Sequence, residues 1–182
     1  GAWNIRKWSN RKERAFQMNK NLNFYSGKKI LITGNTGFKG SWLSIYLNCL
    51  GASVYGLSDK EYEGIYKMAS VNKILEDQLL IDINNISIDE LSEVINKVNP
   101  DIVFHLAAQS LVFEAKDFPL KTLETNMIGT YKVLKSVNNN ESVDTLVVAT
   151  TDKVYQFPEL ENTEEENLLG YEYYSSSKVG AE

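Results

Sequence analysis

Tyr174 and Lys178 stand four residues apart, a spacing that a helix turns into one face, one turn from each other. A phenol normally titrates near pH 10. An ammonium beside it favours the phenolate. Such a pair is a base able to take a proton from an alcohol as hydride leaves the same carbon. An acceptor for that hydride is signalled 140 residues upstream, where Gly34, Gly37 and Gly40 end an apolar run and open a helical pattern. Glycine allows the tight turn and lets the main chain approach a pyrophosphate closely. The helix that follows aims free N–H groups and its positive dipole end at the phosphates. A G-x-x-G-x-x-G in that strand–turn–helix setting reads as a dinucleotide turn, with Thr36, Phe38 and Lys39 between and beside the glycines. The two features together predict a bound nicotinamide dinucleotide with a tyrosine base next to it.

The elements that must position these groups alternate. Strands are expected at residues 28–33, 53–57, 78–83, 101–106 and 143–150, and helices at 41–50, 88–98, 119–137 and from about 173. Ser87 to Glu90 forms a capping box, and Ile88, Leu91, Ile95 and Val98 then mark one helical face. Residues 59–77 read as irregular, with one helical turn near 65–69. Strands alternating with helices imply a parallel sheet with right-handed crossovers, a Rossmann-type doubly wound α/β fold. Ligands then bind beyond the carboxyl ends of the strands. Those ends carry the glycines, His105 to Gln109, and Thr150 to Lys153.

At 182 residues the chain has material for one core. Its net charge of −5 is unevenly placed: residues 1–29 hold eight Lys/Arg against one Glu, and the remainder is strongly acidic. Residues 1–22 are read as a basic N-terminal extension ahead of a domain spanning 23–182; neither a nucleic-acid partner nor a membrane is expected. The single cysteine, Cys49, is read as small core filler, and with no possible disulfide framework the chain fits a reducing, cytoplasmic compartment. No metal site is expected.

These motifs resemble the extended short-chain dehydrogenase/reductase family. Thr33-Gly34-x-x-Gly37-Phe38-x-Gly40 is similar to its phosphate turn, and Tyr174-x-x-x-Lys178 to its catalytic pair. Thr151 stands where its catalytic Ser/Thr does. Leu106, Ala107, Ala108 and Gln109 look like the stretch lining the nicotinamide ribose, Asn126 like its structural asparagine, and Asp82-Ile83 like the adenine contact. Asp59, 19 residues after Gly40, is placed to bond the adenosine ribose and so favours NAD, although a solvated carboxylate is an equally simple reading. His105 is expected to serve structure rather than proton transfer.

Within the family the text of Thr36 to Leu43, Phe104 to Gln109, Thr125-Asn126 and Asp152-Lys153-x-Tyr155 is similar to the CDP-glucose 4,6-dehydratase group, where Lys replaces the Glu that dTDP-glucose dehydratases carry. That resemblance implies NAD-dependent dehydration of a nucleotide sugar in deoxysugar synthesis for polysaccharide. Tyr174 would take the 4-hydroxyl proton and Asp152 would protonate the leaving 6-hydroxyl. Lys153 would either stabilise an enolate or, as a bland alternative, pair with Asp152. The base for C5 is left open. A 4-epimerase, another dehydratase or a redox-sensing dinucleotide module are the rivals. Ser110 to Glu114 lacks the arginines usual there, and the chain stops four residues beyond Lys178, so a C-terminal substrate domain is expected to be missing. The resemblance also implies a homodimer for the longer form, and an inactive fragment.

Overall fold

The computed structural model describes residues 23–157 and 161–182; the basic segment 1–22 lies outside the described residues. Five strands form one parallel sheet in the order β3-β2-β1-β4-β5. They are β1 (Lys29–Thr33), β2 (Ser53–Ser58), β3 (Asp77–Leu80), β4 (Ile102–His105) and β5 (Thr145–Val148). The chain runs outward from β1 through β2 to β3, crosses back to β4 on the other side of β1, and continues to β5. The turn after β1 therefore lies at the point where the strand order reverses, which is where a parallel sheet opens a crevice.

Alternation along β1 supplies both faces of the core. Leu31 joins Leu57, Ile83, Leu91, Ile95, Val103 and Val133 under α3 (Ile88–Val98) and α6 (Gly129–Asn138). Ile30 and Ile32 join Leu47, Val54 and Ile102 under α1 (Phe38–Cys49). Successive strand side chains point to opposite faces, so one apolar strand anchors two helical layers. The capping box is present: Ser87 Oγ accepts from Glu90 N, and the Glu90 carboxylate accepts from Ser87 N. Ser87→Ala is expected to lower stability by about 1 kcal/mol, read as a lower denaturant midpoint at unchanged slope.

Four differences from the sequence reading have local causes. Strand β3 ends at Leu80 rather than 83, because Asp82 Oδ1 accepts from Asn84 N at 2.9 Å and turns the chain. Cys49 is exposed, not core: the buried positions of α1 are Gly40, Ser41, Ser44 and Leu47, and Cys49 sits about 200° around the helix from Leu47. A short helix α4 (Val112–Asp117) occupies what reads as loop; only Ala115 in it is buried, so no apolar stripe announces it. Last, the expected helix over 119–137 is present but not uniform. It consists of α5 (Pro119–Leu123), a π-helical turn (Glu124–Ile128) and α6. A further short helix, α2 (Ile65–Met68), follows β2, and α7 (Tyr173–Val179) packs against α4, α5 and the π-helical turn.

Candidate active site

The glycine turn is built as the sequence implies. Gly34 has φ +74°, and a Cβ there would stand 2.7 Å from Ala107 N and 2.8 Å from Leu106 C. The turn is thereby pressed onto the Leu106–Ala107 main chain at the end of β4. A Cβ on Gly40 would lie 2.1 Å from Gly34 O, so α1 also sits directly on the turn. Gly37 differs: its Cβ would meet only Gly34 O, at 3.4 Å. The protein leaves that position room, and a bound phosphate would use it. Helix α1 starts on Gly37 with no side-chain cap, whereas α3 spends its first N–H groups on Ser87. A bare N-terminus above a glycine turn suits an anion. Beside it, Asn35 is fully buried with neither amide atom partnered, packed on Gly56. The residues present fit a dinucleotide pyrophosphate.

Tyr174 and Lys178 lie in α7, 9% and 6% exposed. Glu172 caps this helix, accepting from Tyr174 N at 2.7 Å and Ser175 N at 2.8 Å, and so fixes the first turn that carries the phenol. Lys178 Nζ donates to Ala149 O at 2.9 Å, just past β5. Thr151 follows; its hydroxyl donates to Asp152 Oδ1 at 3.1 Å and lies near the Tyr174 phenol. Asp152 and Lys153 begin an exposed helical turn (Asp152–Val154) whose first free N–H, that of Lys153, is capped by Thr151. No ion pair joins Asp152 to Lys153; the ion pairs among the described residues are elsewhere. The loop-pair reading of these two residues is thereby corrected: both heads face solvent at the cleft.

The expected depression of the Tyr174 pKa is also corrected. Burial raises it, the nearby Thr151 hydroxyl works against that, and the Glu172 and Asp152 carboxylates raise it further. The Lys178 ammonium is turned to Ala149 O, and burial and then the nearby Lys39 push its own pKa down.

His105 is 2% exposed and pairs with Thr33 across β1 and β4. Its Nδ1 is 2.7 Å from Thr33 Oγ1, and its Nε2 is 3.0 Å from Thr130 Oγ1. The neighbours fix the proton directions. Thr130 Oγ1 donates to Asn126 O at 2.7 Å, so it accepts from Nε2–H; Thr33 Oγ1 accepts from Ala107 N, so its proton goes to Nδ1. A neutral ring is thus held on both sides, which fits the structural role. Burial first, and Lys178 second, lower its pKa from 6.5 to about 4. Between these values the unfolded chain binds a proton that the folded chain refuses. The stability from neutral His105 is complete above pH 6.5 and is lost as pH falls toward about 4, by ~3 kcal/mol. Denaturant midpoints from pH 7 to pH 4 should fall further for the wild type than for His105→Gln; parallel losses would show that the ring is not held neutral.

Asn126 continues the network from the π-helical turn. Its Oδ1 accepts from Gln109 N at 2.9 Å, and its Nδ2 donates to Gln109 O at 2.9 Å and to Ser177 Oγ at 2.8 Å. It ties the loop after β4 to α7. Thr36, Ile83 and Asn126 were expected at the cofactor, yet their side chains are 2%, 4% and 0% exposed. Thr36 donates to Lys60 O, and Ile83 packs in the core. Asp59 is exposed just past β2 and accepts from Tyr62 Oη at 3.0 Å; Asp82 is half-buried just past β3. Burial, then Asp59, push the Tyr62 pKa up to about 12. Phe38 and Lys39 project at the mouth of the turn, and Ala108 and Gln109 line its far side half-buried. Sequence reasoning missed Tyr62, Glu172 and Ser177; of these only Ser177, three residues after Tyr174 on the same helix, had a positional signal.

A family model described as GDP-mannose 4,6 dehydratase matches residues 31–182. The chain belongs to this GDP-mannose 4,6 dehydratase family. Members of the wider nucleotide-sugar dehydratase and epimerase group are similar to it along most of its length. A CDP-glucose 4,6-dehydratase of Salmonella typhimurium is 37% identical over 164 residues, covering 88% of this chain and 45% of that protein. A dTDP-D-glucose 4,6-dehydratase of Dictyostelium discoideum is 31% identical over 85% of this chain and 39% of that protein. Among solved structures, a UDP-N-acetylglucosamine 4-epimerase from Methanobrevibacter ruminantium superposes with TM-score 0.74 at 23% identity, covering 86% of this chain and 49% of that one. A UDP-glucose 4-epimerase from Brucella ovis, solved in complex with NAD, gives TM-score 0.70 at 21% identity over 85% of this chain and 46% of that one. At those identities the structures support the family fold alone. The chain spans less than half the length of the curated relatives it matches. No helix among the described residues is long and apolar enough to cross a membrane.

Proposed function

We propose that the chain is the cofactor-binding and proton-transfer part of an NAD-dependent nucleotide-sugar 4,6-dehydratase acting on CDP-glucose. The observation that carries this reading is that Tyr174, Lys178 and Thr151 stand at the carboxyl end of β5, on the same edge of one parallel sheet as the bare helix N-terminus after β1. The glycine turn, Phe38, Lys39 and the stretch 106–109 would hold the dinucleotide, with Asp59 and Asp82 toward its adenosine half. Bound there, NAD+ supplies the hydride acceptor.

Tyr174 takes the proton of the sugar 4-hydroxyl, and the Thr151 hydroxyl holds the same oxygen in place. A buried phenol with a raised pKa is a poor base on its own, so its deprotonation depends on the positive ring of the oxidised nicotinamide. Oxidation at C4 acidifies the C5 proton. Loss of that proton to a base, with Asp152 giving its own proton to the departing 6-hydroxyl, would expel water, and the hydride taken from C4 would then return to C6 as a proton returns to C5. The Lys153 ammonium stabilises the enolate oxygen. Asp152 and Lys153 are exposed and not ion-paired with each other, and only Oδ1 of Asp152 is engaged, by the Thr151 hydroxyl, which suits both to meeting substrate. The choice of CDP-glucose rests on Lys153 and on the similarity to the Salmonella protein.

The test supplies NAD+ with CDP-glucose, and separately with dTDP-glucose, to this chain and to any longer form its gene encodes. Mass loss of one water from CDP-glucose supports the reading. Loss from dTDP-glucose alone overturns the choice of nucleotide, and epimerisation at C4 without loss of water points to the epimerase branch of the family.

A further inference from the structure

The loop that follows β3 is held from behind by one ammonium. Lys132, on α6, donates to Ile83 O at 3.0 Å, Asn84 O at 3.0 Å and Ile86 O at 2.8 Å. An ammonium has three protons, so its whole donor capacity goes to one short loop. Bonds from a charged donor are the stronger kind. The same helical run ties the loop twice more. Asn84 Nδ2 donates to Thr125 Oγ1 at 2.8 Å, and Gly129 lies so close that a Cβ on it would stand 3.0 Å from Ile83 Cγ2.

A dinucleotide with its pyrophosphate on α1 has two halves. One extends over β4 and β5 toward Tyr174. The other extends over β2 and β3, where Asp59 and Asp82 stand at the strand ends. The loop 82–86 follows β3 at that end, where it would meet the base of a dinucleotide so placed. We propose that Lys132 is a positioning residue for the adenosine half of the dinucleotide. It holds the main chain at 83–86 so that the Asp82 carboxylate and the Ile83 N–H form a ready wall for adenine, and it acts through the loop without touching the ligand. The proposal rests on the dinucleotide reading above. Its effect is pre-organisation: a loop already in its bound shape loses less freedom on binding.

Calorimetric titration of this chain with NAD+ and with ADP, the latter lacking the nicotinamide half, tests the clamp in Lys132→Met. Both ligands should weaken by about the same factor, roughly 10-fold. Hydrogen exchange should speed up at amides 83–87 and stay unchanged in α7. Wild-type affinity in Lys132→Met, or a loss for NAD+ without one for ADP, overturns the proposal. If Lys132→Met does not fold, Thr125→Val decides, since it cuts the Asn84 tie alone. A shared loss for both ligands there supports the clamp, and wild-type affinity overturns it. A wild-type chain that binds neither ligand defeats the dinucleotide reading and the clamp with it, an outcome distinct from wild-type binding retained in the variant.

Discussion

Tyr174→Phe is expected to slow oxidation of the sugar by about 10²–10⁴-fold while leaving NAD+ affinity within about two-fold. Tyr174 is 9% exposed, so removing one oxygen leaves the ring and α7 packed. What is lost is the group proposed to accept the 4-hydroxyl proton. Lys178→Met should behave differently. Its ammonium is bound to Ala149 O and is buried, so truncation also frees α7 from the end of β5. Both affinity and rate should then fall. Rapid-quench kinetics with parallel NAD+ titrations separate the two patterns. A Tyr174→Phe protein that oxidises substrate at the wild-type rate would remove the phenol from the mechanism.

Gly40→Val is expected to weaken NAD+ binding by at least about 100-fold and to lower the thermal midpoint. The added Cβ would lie 2.1 Å from Gly34 O and 2.7 Å from Asn35 Cα, and both contacts are backbone that cannot rotate away. Helix α1 must lift off the turn, and overpacking of that kind costs roughly 1–3 kcal/mol. Gly37→Ala is the informative partner. Its Cβ meets only Gly34 O at 3.4 Å, so the unliganded fold should tolerate it much better. Dinucleotide binding should still suffer, because the methyl occupies space kept for the phosphate. Melting curves with and without NAD+ compare the two. If Gly37→Ala binds NAD+ like the wild type, the phosphate does not approach there.

The parts of this molecule written in local pattern were legible from the chain. Apolar runs ended by glycine gave β1 and its turn, and Ser87 with Glu90 gave the start of α3. Y-x-x-x-K marked the face of α7 that carries Tyr174 and Lys178. The rest depends on partners far away in sequence. The π-helical turn lets Asn126 reach Gln109, 17 residues away, and Ser177, 51 residues away, and no periodicity within 124–128 announces such bonds. The direction of the Tyr174 pKa failed for the same reason. Spacing puts Lys178 beside it, but Ala149 O claims the ammonium and burial decides the shift. Lys132 looks like one more surface lysine until the loop it holds is in view.

The central claim is that hydride leaves C4 of a nucleotide sugar and that water is then lost from C5 and C6. CDP-glucose carrying deuterium at C4, incubated with the protein and NAD+, tests this most directly through the mass and label position of the product. The account predicts loss of one water with the deuterium retained, transferred from C4 to C6. Product that keeps its water, or that loses water with deuterium still at C4, would contradict it.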